Sequence, residues 1–179
     1  MASTNFIALL RAINVGTGRR VQMAELRTLM ADAGATAVQT YIQSGNVVFD
    51  HEETGEAALS ADLETRLQAA FGFEIPVILR RADEWGALVA DNPFPHAEHD
   101  RLLVSLLRED PPAGALGAID GASFAPEEFV LSGRDVYLHL PDGFGRAKLP
   151  NALARTLPAS GTARNWRTVL ALLDMARSR

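Results

Sequence analysis

The sequence predicts an α+β fold: two packed ferredoxin-like (βαββαβ) units with a C-terminal helix. Three observations predict it. Short apolar runs bounded by turn residues mark strands, and apolar residues three and four apart mark helices. Within the first 80 residues the two alternate in the order β-α-β-β-α-β. From residue 101 the same order of signals begins again, although no residue-level period links the two halves.

Phe6–Arg11 is a short, continuous apolar run, the pattern of a buried strand. Met23, Leu26, Leu29, Met30 and Ala33 fall at helical spacing, and Gly34 ends that helix with a residue that tolerates positive φ. Val38–Gln43 and Asn46–Phe49 flank Ser44-Gly45, the composition of a hairpin with a two-residue turn. Leu59, Leu63, Leu67, Ala70 and Phe71 line a second helix stopped at Gly72, and Ile75–Arg80 is rich in strand formers. Residues 81–100 link the units: a helix with Trp85, Leu88 and Val89 on one face, then the breaker Asn92-Pro93-Phe94-Pro95. The second unit, 101–179, starts with a strand at Leu102–Leu107 and continues with a weak helix at Pro111–Ile119. Strands follow at Glu128–Leu131 and Val136–Leu140, a helix at about Arg146–Leu157 and an extended piece at Gly161–Arg164. Trp166, Val169, Leu170 and Leu173 then form the apolar stripe of the final helix. The first strand of each unit is apolar on both faces, where a sheet with one wet face would alternate. Both strands are therefore expected to be buried on both sides.

A chain of 179 residues can bury roughly 70% of its unfolded surface. An apolar fraction of 47% with 22% charged residues is that of a soluble globular protein. With no cysteine, disulfides, thiolate metal sites and cysteine nucleophiles are excluded, which fits a reducing compartment. The apolar run near the N-terminus is too short for a signal peptide or a membrane span, so a cytoplasmic, non-membrane protein is expected. The net charge of −5 is unevenly spread: residues 1–49 carry +2, 50–133 carry −12 and 134–179 carry +5. An acidic middle between basic ends argues against tracking nucleic acid over the whole surface, yet leaves room for a local anion site.

The stretch Ile13–Arg20, INVGTGRR, invites a phosphate-loop reading and fails it. The dinucleotide fingerprint needs a third glycine where Val21 stands, and the P-loop needs Gly-Lys-Ser/Thr. A strand-to-helix connection explains the glycines, while Gly16 and Gly18 beside Arg19 and Arg20 could still cradle an anion. His96, Glu98, His99 and Asp100 have metal-ligand side chains, but they follow a proline-rich break and read as a solvated loop, so no metal is expected. The adjacent carboxylates Glu52-Glu53 and Glu127-Glu128 read as solvated faces. No nucleophile elbow surrounds Ser44. In Thr162–Val169, Asn165 is placed to cap the last helix and Trp166 to begin its buried stripe. Arg164 is a cation beside a helix N-terminus, where the dipole disfavours it unless an anion is near.

Five blocks in order, LLRAINVG (9–16), MAEL (23–26), TYIQSGNVVF (40–49), NPF (92–94) and TARNWRTV (162–169), resemble the domain-of-unknown-function family 1697 of small bacterial proteins. The chain departs from that pattern at Ala12 and Thr17, where the family usually has glycine, and at Ala163 and Arg167. Arg11, Asn14, Ser44, Asn46, Arg164 and Asn165 match it. The resemblance implies an α+β fold of ferredoxin-like units and no established activity, substrate or cofactor.

Strand one ends at Arg11 and the antiparallel third strand begins at Asn46, so both reach one rim of the first unit together with Ser44, Gly45, Asn14 and the Gly16–Gly18 loop. Arg11, Asn14, Ser44, Asn46 and Arg164 are thus the candidate ligand-binding residues, two guanidinium groups for charge with amides and a hydroxyl for orientation. A binding module for a small anionic or nucleotide-like ligand ranks first. A metal-free enzyme using Ser44 or Tyr41, and a protein–protein or regulatory module, are the alternatives. An RNA-binding role ranks last, because the aromatic RNA-recognition signature lacks its basic start here. The cofactor, the oligomeric state and any catalytic residue stay open.

Overall fold

The computed structural model describes residues 2–53, 55–157 and 161–179. The chain divides into two compact units, residues 1–87 with 171–179, and residues 88–170. Each contains one four-stranded antiparallel sheet, so the protein is α+β.

In the first unit, β1 (Thr4–Leu10), α1 (Met23–Asp32), β2 (Thr36–Tyr41), β3 (Asn46–His51), α2 (Glu56–Phe71) and β4 (Val77–Arg81) follow one another, with α3 (Ala82–Ala90) starting in this unit. The sheet order is β2-β3-β1-β4. β1 is central, pairing Leu9 with Asn46 on one side and Leu10 with Val77 on the other. Phe6, Ala8 and Leu10 join Leu26 and Met30 of α1 and Leu59, Leu63 and Leu67 of α2 in the core. Ile7 and Leu9, on the opposite face, are also fully buried, as the unbroken apolar run predicts. α1 ends as expected: Gly34 takes φ +93°, and Gly34 and Ala35 donate to the carbonyls of Ala31 and Met30.

β2 lies at the sheet edge and its register slips between Thr36 and Gln39, where Ala37 adopts φ +49°. The guanidinium of Arg179 fills that bulge. It donates to the carbonyls of Ala37 and Val48 (2.7 Å for Val48) and pairs with Asp50 at 3.2 Å. No sequence pattern announced this role.

In the second unit, β5 (Leu102–Leu106), β6 (Glu128–Ser132), β7 (Asp135–His139) and β8 (Thr162–Asn165) form a sheet of order β6-β7-β5-β8, with α4 (Leu149–Thr156) between β7 and β8 in the chain. α5 (Trp166–Arg177) begins here, and its residues from Ala171 onward belong to the first unit. Three expectations need correction. The helix expected at Pro111–Ile119 is a series of turns, with Ala115, Gly117 and Ile119 each donating to the carbonyl three residues back, and a 3₁₀ turn follows at Gly121–Phe124. Two prolines and two glycines, with Gly114 at φ +76°, outweigh the few apolar residues there. β5 is less continuously buried than β1: Leu102, Val104 and Leu106 are buried, while Leu103 and Ser105 are only partly so. Glu127 is no solvated carboxylate. It accepts from the backbone N–H groups of Lys148 (3.0 and 3.1 Å) and Leu149 (2.7 Å), serving as the cap of α4 from outside the helix.

Asn165 caps α5, its Oδ1 accepting from Thr168 N at 2.9 Å, and Trp166 starts the buried stripe that continues through Val169, Leu172 and Leu173. Buried Tyr137 donates to the Leu88 carbonyl at 2.7 Å, and burial, with Asp135 and Asp91, raises its pKa far above the usual phenol range.

Candidate functional site

The end of the first sheet at which β1 stops is built from three pieces of chain. Leu10 donates its N–H to Gly45 O at 2.8 Å, and Arg11 donates its own to Pro76 O at 3.0 Å. The loop after β1, the β2–β3 loop and the approach to β4 therefore share one rim.

The β2–β3 connection differs from the expected two-residue turn. Tyr41 pairs with Asn46, so Ile42, Gln43, Ser44 and Gly45 form a four-residue loop. Gly45 does take the expected positive φ, +78°, and space gives a second reason for glycine: a Cβ there would lie 2.6 Å from Leu10 Cβ and 2.8 Å from Ile13 Cδ1. Asn46 is completely buried, and its Nδ2 donates to Tyr41 O (3.1 Å) and Ser44 Oγ (3.0 Å), closing the loop from inside.

Asn14 closes the other loop. Its side chain donates to Val21 O and accepts from Val21 N, both at 2.9 Å, imitating a backbone pairing. Its Nδ2 also donates to Gln43 O at 2.7 Å, tying the loop after β1 to the hairpin loop. Ile13 and Val21 dip into the core on either side, so the residues between them project from a fixed base.

What projects is basic. Arg11 is half-buried and Arg19 and Arg20 are exposed, and none of their side chains meets a carboxylate or a hydrogen-bond acceptor among the described residues. Arg19 lies over the Phe73 ring, 5.6 Å from its centroid. The backbone between them is unusual: Ala12, Asn14, Gly16 and Arg19 all adopt φ between +51° and +64°. Gly18 is neither left-handed nor crowded, so the fold itself gives no reason for glycine there. Guanidinium groups without acceptors, beside exposed backbone N–H groups, can hold a phosphate or carboxylate through paired hydrogen bonds.

Ser44 Oγ accepts from the Asn46 amide at 3.0 Å, and that amide has no basicity with which to take its proton.

Of the predicted site residues, the rim gathers Arg11, Asn14, Ser44 and Asn46, all in the first unit. Arg164 belongs to the second, opposite Val104 in β8. It is 9% exposed, donates to Thr162 Oγ1 (2.8 Å) and the Ala163 carbonyl (2.9 Å), and burial lowers its pKa to about 10, which keeps it charged at neutral pH. Arg19 and Arg20 entered the sequence reading only as part of a possible cradle. That neither meets a carboxylate or a hydrogen-bond acceptor among the described residues is visible only in three dimensions. Among the described residues, no group of three or more His, Asp or Glu side chains is placed to hold a metal ion. Among them too, no helix is long and apolar enough to cross a membrane.

The family described as "Protein of unknown function (DUF1697)" matches residues 3–137. The solved structure of the conserved bacterial protein SP0830 from Streptococcus pneumoniae is similar in fold, with a TM-score of 0.81 and 22% identity over 98% of this chain and 99% of that one. No curated protein matches the sequence.

Proposed function

Because the chain belongs to the DUF1697 family, whose membership assigns no activity, we propose a function from the rim itself: binding of a small anionic, nucleotide-like ligand. The observation that supports it is the set of three arginines on one braced loop, Arg11, Arg19 and Arg20, that meet no carboxylate or acceptor among the described residues. In this reading Arg11 supplies charge, Asn14 and Asn46 hold the two loops in shape, and Ser44 orients the ligand. Arg164 is kept as a ligand-binding candidate of its own unit, to be tested separately. We read both units as ferredoxin-like, a reading supported by the shared order β2-β3-β1-β4 and β6-β7-β5-β8. The functional division we propose is residues 1–80 carrying the rim, 81–100 linking and 101–179 forming the second unit. The absence of cysteine supports placing the protein in the cytoplasm.

Thermal unfolding with a panel of phosphates and nucleotides tests the proposal. A ligand at 100 times its Kd adds about 2.7 kcal/mol, a shift of roughly 5–10 °C for a chain of this size. The shift should vanish in Arg11→Ala, and Arg164→Ala reports on the second unit by the same measurement. A panel in which no anion shifts the wild type refutes the proposal.

A further inference from the structure

The same rim carries apolar side chains that the fold does not need. Val15 is 73% exposed and Ile42 is 54% exposed, and both belong to the short set of large hydrophobic residues left in water among the described residues. They sit on the two loops that the Asn14-to-Gln43 hydrogen bond joins. Ile42 is the stranger of the pair. Its φ is +49°, in the left-handed region that disfavours side chains and β-branched ones above all. Glycine or asparagine would hold that backbone at lower cost, and an isoleucine more than half exposed gains little from burial in return. A local rule broken twice at one residue, beside arginines without acceptors, marks a surface shaped for something outside the chain.

We infer that the ligand of this rim is an organic phosphate or carboxylate with an apolar or planar body, its anionic group held by Arg11 and the Arg19–Arg20 segment and its body covering Ile42 and Val15. This rests on the anion-binding reading above and narrows it. Guanidinium groups select the charge. They cannot distinguish inorganic phosphate from a phosphate ester, whereas apolar surface removed from water can. A nucleoside monophosphate or an aryl phosphate has both parts; inorganic phosphate and sulfate have one.

The full-length protein separates these by isothermal titration with adenosine monophosphate, phenyl phosphate, inorganic phosphate and sulfate at matched ionic strength. The organic phosphates should bind wild type about tenfold or more tighter than the inorganic anions, the gain from covering one aliphatic side chain. Ile42→Asn should raise the melting temperature of the unliganded protein, since asparagine accepts the left-handed backbone, and should weaken the organic phosphates to the level of the inorganic ones. Val15→Ser should weaken them with no change in melting temperature. Equal affinity for organic and inorganic anions, or wild-type affinity in Ile42→Asn, overturns the inference and leaves the anion site standing. Failure of all four probes on wild type removes the anion site and the inference together. Sedimentation with phosphatidylglycerol vesicles, in the absence of binding to the soluble phosphates, overturns it in favour of a lipid surface.

Discussion

The two sheets end their first strands in the same way and then diverge. Leu10 donates to Gly45 O and Leu107 donates to Arg134 O, each at 2.8 Å, so in both units the strand is latched to the following hairpin. In the second unit that hairpin turns in two residues, Gly133 and Arg134, between paired Ser132 and Asp135. In the first it takes four, with an isoleucine held left-handed. The arginines differ as well. Arg134 donates to the Arg108 carbonyl at 3.3 Å, inside its own scaffold, whereas Arg11, Arg19 and Arg20 meet no such acceptor among the described residues. Closing a rim of this topology needs neither the longer loop nor guanidinium groups left without an acceptor. The surplus in the first unit is where function is best sought.

The sharpest way to break this comparison is a matched pair of glycine substitutions. Gly45→Ala combines a left-handed φ with a clash against Leu10 and Ile13 and should cost roughly 2–5 kcal/mol. Gly133→Ala, at φ +59° with only Asp110 Oδ1 at 3.7 Å, should cost about 1–2 kcal/mol. Urea midpoints measure both, and equal losses would mean that the two rims are equally braced. Next, Asn14→Ala should cost about 2 kcal/mol by leaving Val21 N and two carbonyls without their partner. Faster hydrogen exchange at the Val21 amide should accompany that loss. An unchanged amide would show that the loop is held by other means. In the second unit, Glu127→Ala should cost about 1 kcal/mol as a lost helix cap, seen as fraying of α4 by chemical shift. The smallest effect has the opposite sign. Ala12→Gly should stabilise by about 0.5–1 kcal/mol, the left-handed penalty less the entropy of glycine. A loss of stability there would show that the alanine methyl is needed.

What could be read in the sequence was what local chemistry decides. The apolar run of β1, the spacing of α2 with its stop at Gly72, the cap at Asn165 and the positive φ of Gly45 all rest on residues close together in the chain. The weak helix expected at Pro111–Ile119 is absent because two prolines and two glycines break the ladder there. Glu127 was missed because its partners lie about twenty residues away, and adjacent carboxylates carry no sign of a distant helix start. For the rim, the polar residue types were legible; that Asn14 serves two loops at once, while three arginines serve none, depends on where the backbone carries them.

Arg179 imposes an order on synthesis. The carbonyls of Ala37 and Val48 that it engages leave the ribosome early, but the first unit is discontinuous and residues 171–179 follow all of residues 88–170. At ~5–20 residues per second the nascent β2–β3 pair, complete at His51, waits roughly 6–26 s for the guanidinium of Arg179. Throughout that interval, while the second sheet is being made, the bulge in the edge strand lacks the guanidinium that fills it in the finished fold.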